Sequence, residues 1–148
     1  MSLPTKRKAI AYITSKNRLL VFEQPDYPEA GVQVPAGTVE PHETPDVAVM
    51  REAAEESGLI GLTLAAFLGE RVVDMSEFKP EIHHRYFYHL RYDGESPERW
   101  QHIERHPSDG DDKAIVFELY WVDLPDDVPS LIAGLGDMLP GLITRMGL

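Results

Sequence analysis

Alternating apolar and polar positions predict β-strands along most of the chain. The runs Lys8 to Thr14 and Arg18 to Gln24 are rich in strand-forming residues, and the polar turn Ser15 to Asn17 separates them. Two such runs joined by a short polar turn are typical of a β-hairpin. Apolar composition or alternation predicts further strands at Val32 to Pro35, at Leu62 to Val73 with Gly69 as a bend or bulge, and at Ala114 to Leu124.

The segment Ile82 to Tyr92 alternates over its whole length, which predicts one more strand with one mostly buried side. The opposite face of this strand would carry His83, Arg85, Phe87, His89 and Arg91. Two roles stay open for this basic face. It is either a surface that contacts phosphate, with Arg85 as a substrate-binding candidate, or a charged sheet edge that keeps the protein soluble.

Local signals predict a helix from about Pro45 to Ser57. Thr44 precedes a proline, which disfavours the helical conformation at Thr44 and leaves its hydroxyl free to cap the helix. Proline is well tolerated at the first helical position, and Gly58 stands where a left-handed C-cap glycine belongs. We therefore expect the boundaries of this helix to be well defined.

The order of these elements predicts an α/β fold with a mixed sheet between helices. A closing helix, interrupted by two glycines and a proline, is predicted from Ser130 to Met146. The polar segment from Asp93 to Lys113 is expected to be a long loop with a turn at Asp109 to Asp112. We expect residues 1–148 to form a single domain, because the length suits one core and no repeat divides the chain.

Three glutamates of the predicted helix indicate a chemical role. Glu52, Glu55 and Glu56 stand at i, i+3 and i+4, which places them on one face of the predicted helix. Like charges at that spacing repel each other, so a hard divalent cation held by oxygen ligands is the natural neighbour. The alternative is a solvated acidic helix in which Arg51 and Glu55 form a surface ion pair.

The spacing of residues 37–59 favours the first interpretation. It resembles the Nudix box, G-x5-E-x7-R-E-U-x-E-E-x-G-U with U apolar, and Ala53 is the one small residue at an apolar position. The fixed positions are occupied by Gly37, Glu43, Arg51, Glu52, Glu55, Glu56 and Gly58. A solvated helix does not explain Gly37 and Glu43 at their spacing, so the chain is identified as a member of the Nudix hydrolase family.

The resemblance implies a Nudix-type α/β/α sandwich and a metal-dependent hydrolase. The implied reaction is cleavage of a phosphoric anhydride bond in a nucleoside diphosphate linked to another moiety, or in a related nucleotide. The implied cofactor is Mg²⁺ or Mn²⁺. The implied metal ligands are Gly37, Glu52, Glu55 and Glu56, and the implied catalytic group is Glu43, Arg51, Glu52, Glu55 and Glu56.

Arg51 precedes the carboxylate face by one residue, so we expect it to point off that face and to pair with Glu43. The resemblance also implies that a further carboxylate outside the box assists the metal site. The candidates are Glu95, Glu98, Glu104 and Glu118. Substrate-binding candidates besides Arg85 are Tyr27, in a proline-rich loop, and Glu118; an exposed loop tyrosine without a ligand is the simpler interpretation of Tyr27.

Charge and composition exclude several classes of binding partner and of chemistry. A net charge of −11 argues against nucleic-acid backbones and anionic membranes, and it would repel a polyphosphate substrate unless metal ions mediate. The absence of cysteine excludes thiol chemistry and disulfides. No segment is long and apolar enough to span a bilayer, so a cytoplasmic location is the default expectation. The sequence leaves monomer and homodimer both open.

Two other functional classes can be compared with the sequence, and so can the signatures of particular substrates. A non-catalytic nucleotide-binding or sensor module would be expected to lack some glutamates of the box, and an isoprenyl diphosphate isomerase would need a cysteine. Neither expectation fits this chain. Asp74 to Lys79 contains neither the proline expected of an ADP-ribose hydrolase nor the tyrosine expected for a dinucleoside polyphosphate, so the substrate stays open.

Overall fold

In residues 2–104 and 114–148, which the computed structural model describes, seven strands form one mixed sheet. The strands and helices in chain order are β1 (Thr5–Ser15), β2 (Arg18–Glu23), β3 (Ala36–Thr38), α1 (Pro45–Ser57), β4 (Thr63–Asp74), β5 (Ile82–Arg91), β6 (Arg99–Glu104), β7 (Ile115–Asp123) and α2 (Leu139–Met146). Short 3₁₀ turns occupy Pro28–Ala30 and Ile132–Gly134.

The strand order across the sheet is β4-β5-β1-β2-β7-β6, and β3 pairs with β1. Only β1 and β5 run parallel to each other; the other recorded strand pairs are antiparallel. β1 pairs with β2 next to the hairpin turn, at Thr14 and Ser15. Nearer the N-terminal end of β1, at Lys8 to Ile10, its neighbour is β3. β1 and β2 therefore separate, and the start of the Nudix box fills the gap between them.

A hydrophobic core lies on each face of the sheet because successive residues of β1 point to opposite sides. Ala9, Ala11 and Ile13 belong to the core that contains Ala48, Val49 and Ala53 of α1. Ile10 and Tyr12 belong to the core that contains Leu142 of α2. The predicted α/β fold with a mixed sheet between helices is confirmed.

Most predicted elements are confirmed where local chemistry defined them. The hairpin turns at Lys16 and Asn17, α1 spans Pro45–Ser57, and Gly58 caps α1 in the left-handed region at φ 75°. The pairing of β4 with β5 shifts register just before Gly69, as a bulge would. Thr44 is extended as expected, but its hydroxyl makes no capping hydrogen bond.

Three elements differ from the prediction. The strand expected at Val32 to Pro35 is displaced to β3, because Pro35 has no N–H and only its carbonyl joins the sheet, accepting a hydrogen bond from Ala11 N at 2.8 Å. The loop expected from Asp93 contains β6; its predicted turn at Asp109 to Asp112 lies outside the described residues. The closing helix is shorter than expected, with a 3₁₀ turn before α2.

The expectation of a charged sheet edge for the basic face of β5 is wrong. β5 lies between β4 and β1, and His83, Arg85 and His89 are all buried. The segments that follow β4 and precede α2 cover this face, so the basic residues lie inside the protein. Neither helix in the described part of the chain has the length and apolarity that a membrane span requires.

Candidate functional site

Three carboxylates from two distant parts of the chain meet beside β3. Glu52 and Glu56, one turn apart on α1, lie with Glu104 of β6, and each can offer an oxygen within 4.8 Å of the others. Glu52 and Glu56 are each only 5% exposed. We call Glu52, Glu56 and Glu104 the carboxylate cluster.

Glu55 occupies a different position from the one expected. Its side chain is 49% exposed and lies at the rim of the carboxylate cluster, where it pairs with Arg51 at 3.4 Å. The helix alone would let all three box glutamates converge, but only Glu52 and Glu56 are buried, against the β3 backbone at Gly37 and Ala36. The roles implied for Glu52, Glu55 and Glu56 in catalysis and metal binding stay predictions.

β6 brings Glu104 to the cluster by packing on the end of α1. The side chains of Trp100 and His102, which precede Glu104 at alternate positions, donate hydrogen bonds to the carbonyls of Ser57 at 2.9 Å and Glu55 at 2.7 Å. This alternation was the signal for a strand in the segment predicted as a loop.

The other candidates for an assisting carboxylate lie elsewhere. Glu98 pairs with Arg18, and Glu118 pairs with Arg99 at 3.1 Å. Glu118 also alternates with Phe117 and Leu119 of the α1-side core and so points to the opposite face of the sheet. The side chain of Glu95 is exposed.

Gly37 stands against the cluster at a distance that no other residue would permit. A Cβ atom at this position would lie 2.0 Å from Cδ of Glu52. The amide of the preceding Ala36 donates a hydrogen bond to Oε1 of Glu56 at 3.2 Å. The glycine is therefore required for close approach of the β3 backbone to Glu52.

The electrostatics of the cluster favour a cation. Burial, and then the charges of Glu104 and Glu52, raise the pKa of Glu56 well above its usual value. Burial also raises the pKa of Glu52, although hydrogen bonding from Arg51 opposes the shift. Three converging carboxylates, two of them buried, form an oxygen donor set suited to a hard divalent ion, so these residues fit the metal that the family generally uses.

Arg51 holds the loop and the helix of the box together. Its Nε and Nη2 donate to the two carboxylate oxygens of Glu43, both at 2.7 Å, and Nη2 also donates to the Thr38 carbonyl at 3.1 Å. Nη1 donates to Glu52 Oε1 at 2.8 Å. The expected pair with Glu43 is present, and Arg51 additionally reaches the carboxylate face. Hydrogen bonds from Arg51 lower the pKa of Glu43 to about 2.

We expect Arg51→Ala to weaken metal affinity or turnover by about 10–100-fold, because groups that orient metal ligands typically contribute that much. Arg51→Lys should restore little, since an ammonium cannot make the two-pronged contact with Glu43. The measurement is a Mg²⁺ or Mn²⁺ titration of activity, with exposed Arg71→Ala as the control. Unchanged affinity and turnover in Arg51→Ala would show that the pair has no role in the site.

A cavity of about 440 Å³ lies on the other side of β3 from the carboxylate cluster. Gly37 and Ala36 form part of its wall, Lys8 and Arg85 come from β1 and β5, and Phe78 comes from the segment after β4. Of the substrate-binding candidates, Arg85 lines the cavity, whereas Tyr27 and Glu118 do not. Tyr27 is 47% exposed, as its simpler interpretation predicts. Lys8 was not singled out in the sequence.

Comparison with known proteins agrees with the motif. The family model for the NUDIX domain matches residues 4–134. No curated protein matches the sequence significantly.

Solved structures with a similar fold include three of stated activity or family. A UDP-X diphosphatase has a TM-score of 0.67 and 14% identity over 99% of this chain and 65% of that chain. A MutT NUDIX hydrolase from Burkholderia pseudomallei has a TM-score of 0.67 and 22% identity over 93% of this chain and 98% of that chain. An ADP-ribose pyrophosphatase from Streptococcus suis has a TM-score of 0.62 and 18% identity over 95% and 90%.

Proposed function

The chain belongs to the NUDIX domain family and is a hydrolase of phosphorus-containing acid anhydrides, and from this premise we propose that it cleaves the diphosphate bond of a nucleoside diphosphate linked to another moiety. In this reaction the oxygen of a water molecule attacks one phosphorus, and the bridging P–O bond to that phosphorus breaks. The products are a nucleoside monophosphate and the phosphate ester of the other moiety. The proton of water leaves to a base.

The carboxylate cluster is the observation that carries this proposal. We propose that Glu52, Glu56 and Glu104, with the carbonyl of Gly37, hold Mg²⁺ or Mn²⁺. When bound, such an ion neutralises phosphate oxygens and lowers the pKa of water. Arg51 orients Glu52 through its hydrogen bond, and the exposed carboxylate of Glu55 completes the catalytic group at the rim.

The shape and charge of the cavity support a substrate of nucleotide size. Its volume of about 440 Å³ falls within the range of about 300–1,000 Å³ that small-molecule sites usually occupy. The cavity combines basic residues from β1 and β5 with apolar walls that include Phe78 and Leu135. Two structural neighbours, a UDP-X diphosphatase and an ADP-ribose pyrophosphatase, have activities of the class that we propose here.

A substrate panel tests the proposal. We expect one or more nucleoside diphosphate derivatives, among nucleotide sugars, ADP-ribose, NADH and dinucleoside polyphosphates, to be hydrolysed with Mg²⁺ or Mn²⁺ present. Phosphorus NMR would identify the bond that breaks, with nucleoside triphosphates as the comparison set. Binding of these compounds without turnover of any of them would favour the alternative, a non-catalytic nucleotide-binding or sensor module.

A further inference from the structure

Two cations lie side by side on the floor of the cavity. Lys8 of β1 and Arg85 of β5 are direct partners in the parallel pair, so their side chains leave the sheet on the same face. Both residues line the cavity. Like charges on directly opposed strand positions are destabilising unless something between them compensates.

The Arg85 guanidinium is buried and forms no direct ion pair among the described residues, although the charge of Asp137 partly offsets the lowering of its pKa by burial. Arg85 is 2% exposed; its Nη1 donates to the carbonyl of Ala133, and its Nη2 contacts Sδ of Met75 at 3.3 Å. Its Nε is buried and has no hydrogen-bond partner among the described residues. Leaving a buried charged donor unpaired is costly, so the protein keeps this group at the expense of stability.

Three acids lie at or near the cavity, namely Glu29 in its lining, Asp137 near Arg85, and Glu81, and none of them forms an ion pair with Lys8 or Arg85 among the described residues. Glu81 binds Lys6 at 3.2 Å, His83 at 2.7 Å and Lys79 at 3.8 Å. No ion pair joins Glu81 to Lys8 or Arg85 in the described residues. Among the described residues, Lys79 and His83 of the cavity lining pair with Glu81, whereas Lys8 and Arg85 have no direct ion pair.

The Lys8–Arg85 pair is also close to the carboxylate cluster through β3. Lys8 Nζ donates to Thr38 Oγ1 at 2.8 Å, and the Thr38 carbonyl accepts from Arg51, which binds Glu52. Gly37, the neighbour of Thr38, touches Glu52 on one side and the cavity on the other. The Lys8–Arg85 pair and the carboxylate cluster therefore lie on the two sides of the same short strand, β3.

We propose that Lys8 and Arg85 form a metal-independent subsite for one phosphoryl group of the substrate, while the other phosphoryl group lies at the carboxylate cluster. The inference rests on the proposed function, because it assigns the two phosphoryl groups of a diphosphate substrate to two different places. The phosphoryl group at Lys8 and Arg85 is bound without a metal ion. The Lys8 ammonium and the Arg85 guanidinium supply the charged donors for the phosphate oxygens.

The test is a calorimetric titration that measures the binding of inorganic pyrophosphate in excess EDTA. We expect measurable binding to the wild type and a loss of about 10-fold or more in Arg85→Met and in Lys8→Met, as for a hydrogen bond between charged groups. Arg91→Met is the matched control, since Arg91 is exposed at the end of the same strand and face. Absent wild-type binding, or equal losses in Arg91→Met, would overturn the subsite.

A purely structural role for Arg85 gives the opposite result. If its contacts with Ala133 and Met75 stabilise the fold, Arg85→Met should melt lower than the wild type and still bind pyrophosphate. The subsite predicts instead an unchanged or higher melting temperature with weaker binding, because an unsatisfied buried charge is removed. Arg85→Lys, which keeps the charge, should retain part of the binding; retention of all of it by Arg85→Met refutes the proposal.

The binding test is independent of the substrate panel. Pyrophosphate binding without metal would support the subsite even if no compound in the panel were hydrolysed. Hydrolysis by a protein that binds no pyrophosphate in EDTA would leave the proposed function intact and remove the subsite. On a confirmed substrate, Arg85→Met should raise KM more than it lowers kcat, since the contact exists before the reaction begins.

Discussion

Excess EDTA is expected to abolish hydrolysis of a confirmed substrate, with a loss of at least about 1,000-fold in turnover, because a bound divalent ion supplies several kcal/mol of charge stabilisation. The physical reason lies in the carboxylate cluster. Glu52, Glu56 and Glu104 converge with a net negative charge, and without a cation they repel both one another and the phosphate oxygens. The overall charge of −11 adds to this repulsion.

Restoring the ion separates this effect from damage to the protein. Adding Mg²⁺ or Mn²⁺ above the EDTA concentration should recover turnover. The same addition should raise the melting temperature, since an ion at about 100 times its Kd stabilises the folded state by about 2.7 kcal/mol. Glu56→Gln is the matched control and should show a smaller metal-induced shift. Undiminished turnover in excess EDTA would remove the metal from the reaction.

How far the site can be predicted depends on whether its parts are local in sequence. The helix α1 was predictable to the residue because the signals that begin and end it, Thr44 with Pro45 and Gly58, are local in sequence. The pairing of Arg51 with Glu43 follows from the same local geometry. The additional contact from Arg51 to Glu52 was not expected, because the direction of a long side chain depends on what it meets.

The remaining parts of the site depend on strands that are distant in sequence. Glu104 was one of four equal candidates, and only the docking of β6 on α1 through Trp100 and His102 selects it. The pairing of Lys8 with Arg85 requires the parallel register of β1 and β5, which no local pattern encodes. The basic face of β5 was visible in the sequence, but its burial follows from the segments that cover it.

The substitutions Glu52→Gln and Glu56→Gln should each lower kcat by about 100-fold or more, because each keeps the side-chain shape while removing a charge that holds the ion. Glu55→Gln should have a smaller effect, since Glu55 is half exposed at the rim. Glu95→Gln is the matched control: it changes charge equally on an exposed side chain away from the cluster. Exposed Glu29 is a poorer control because it lines the cavity.

In the absence of metal, Glu56→Gln should make the protein more stable. Burial and the charges of Glu104 and Glu52 raise the folded-state pKa of Glu56 above its unfolded value, so its protonated form stabilises the protein at low pH. That contribution is lost as pH rises through the folded-state pKa. In EDTA at neutral pH, Glu56→Gln should therefore melt higher than the wild type, by roughly 2–4 °C for each kcal/mol of relieved repulsion.

The Ala36 amide can still donate to the carbonyl oxygen of a glutamine at position 56, so the fold keeps this contact. Melting curves in EDTA across pH would show the wild type losing stability relative to Glu56→Gln as the pH rises. Combined loss of kcat and gain of metal-free stability distinguishes an ion-binding carboxylate from one that supports the fold. If Glu52→Gln, Glu55→Gln and Glu56→Gln all kept near-native turnover on a confirmed substrate, the carboxylate cluster would be structural and the proposed hydrolysis would fail.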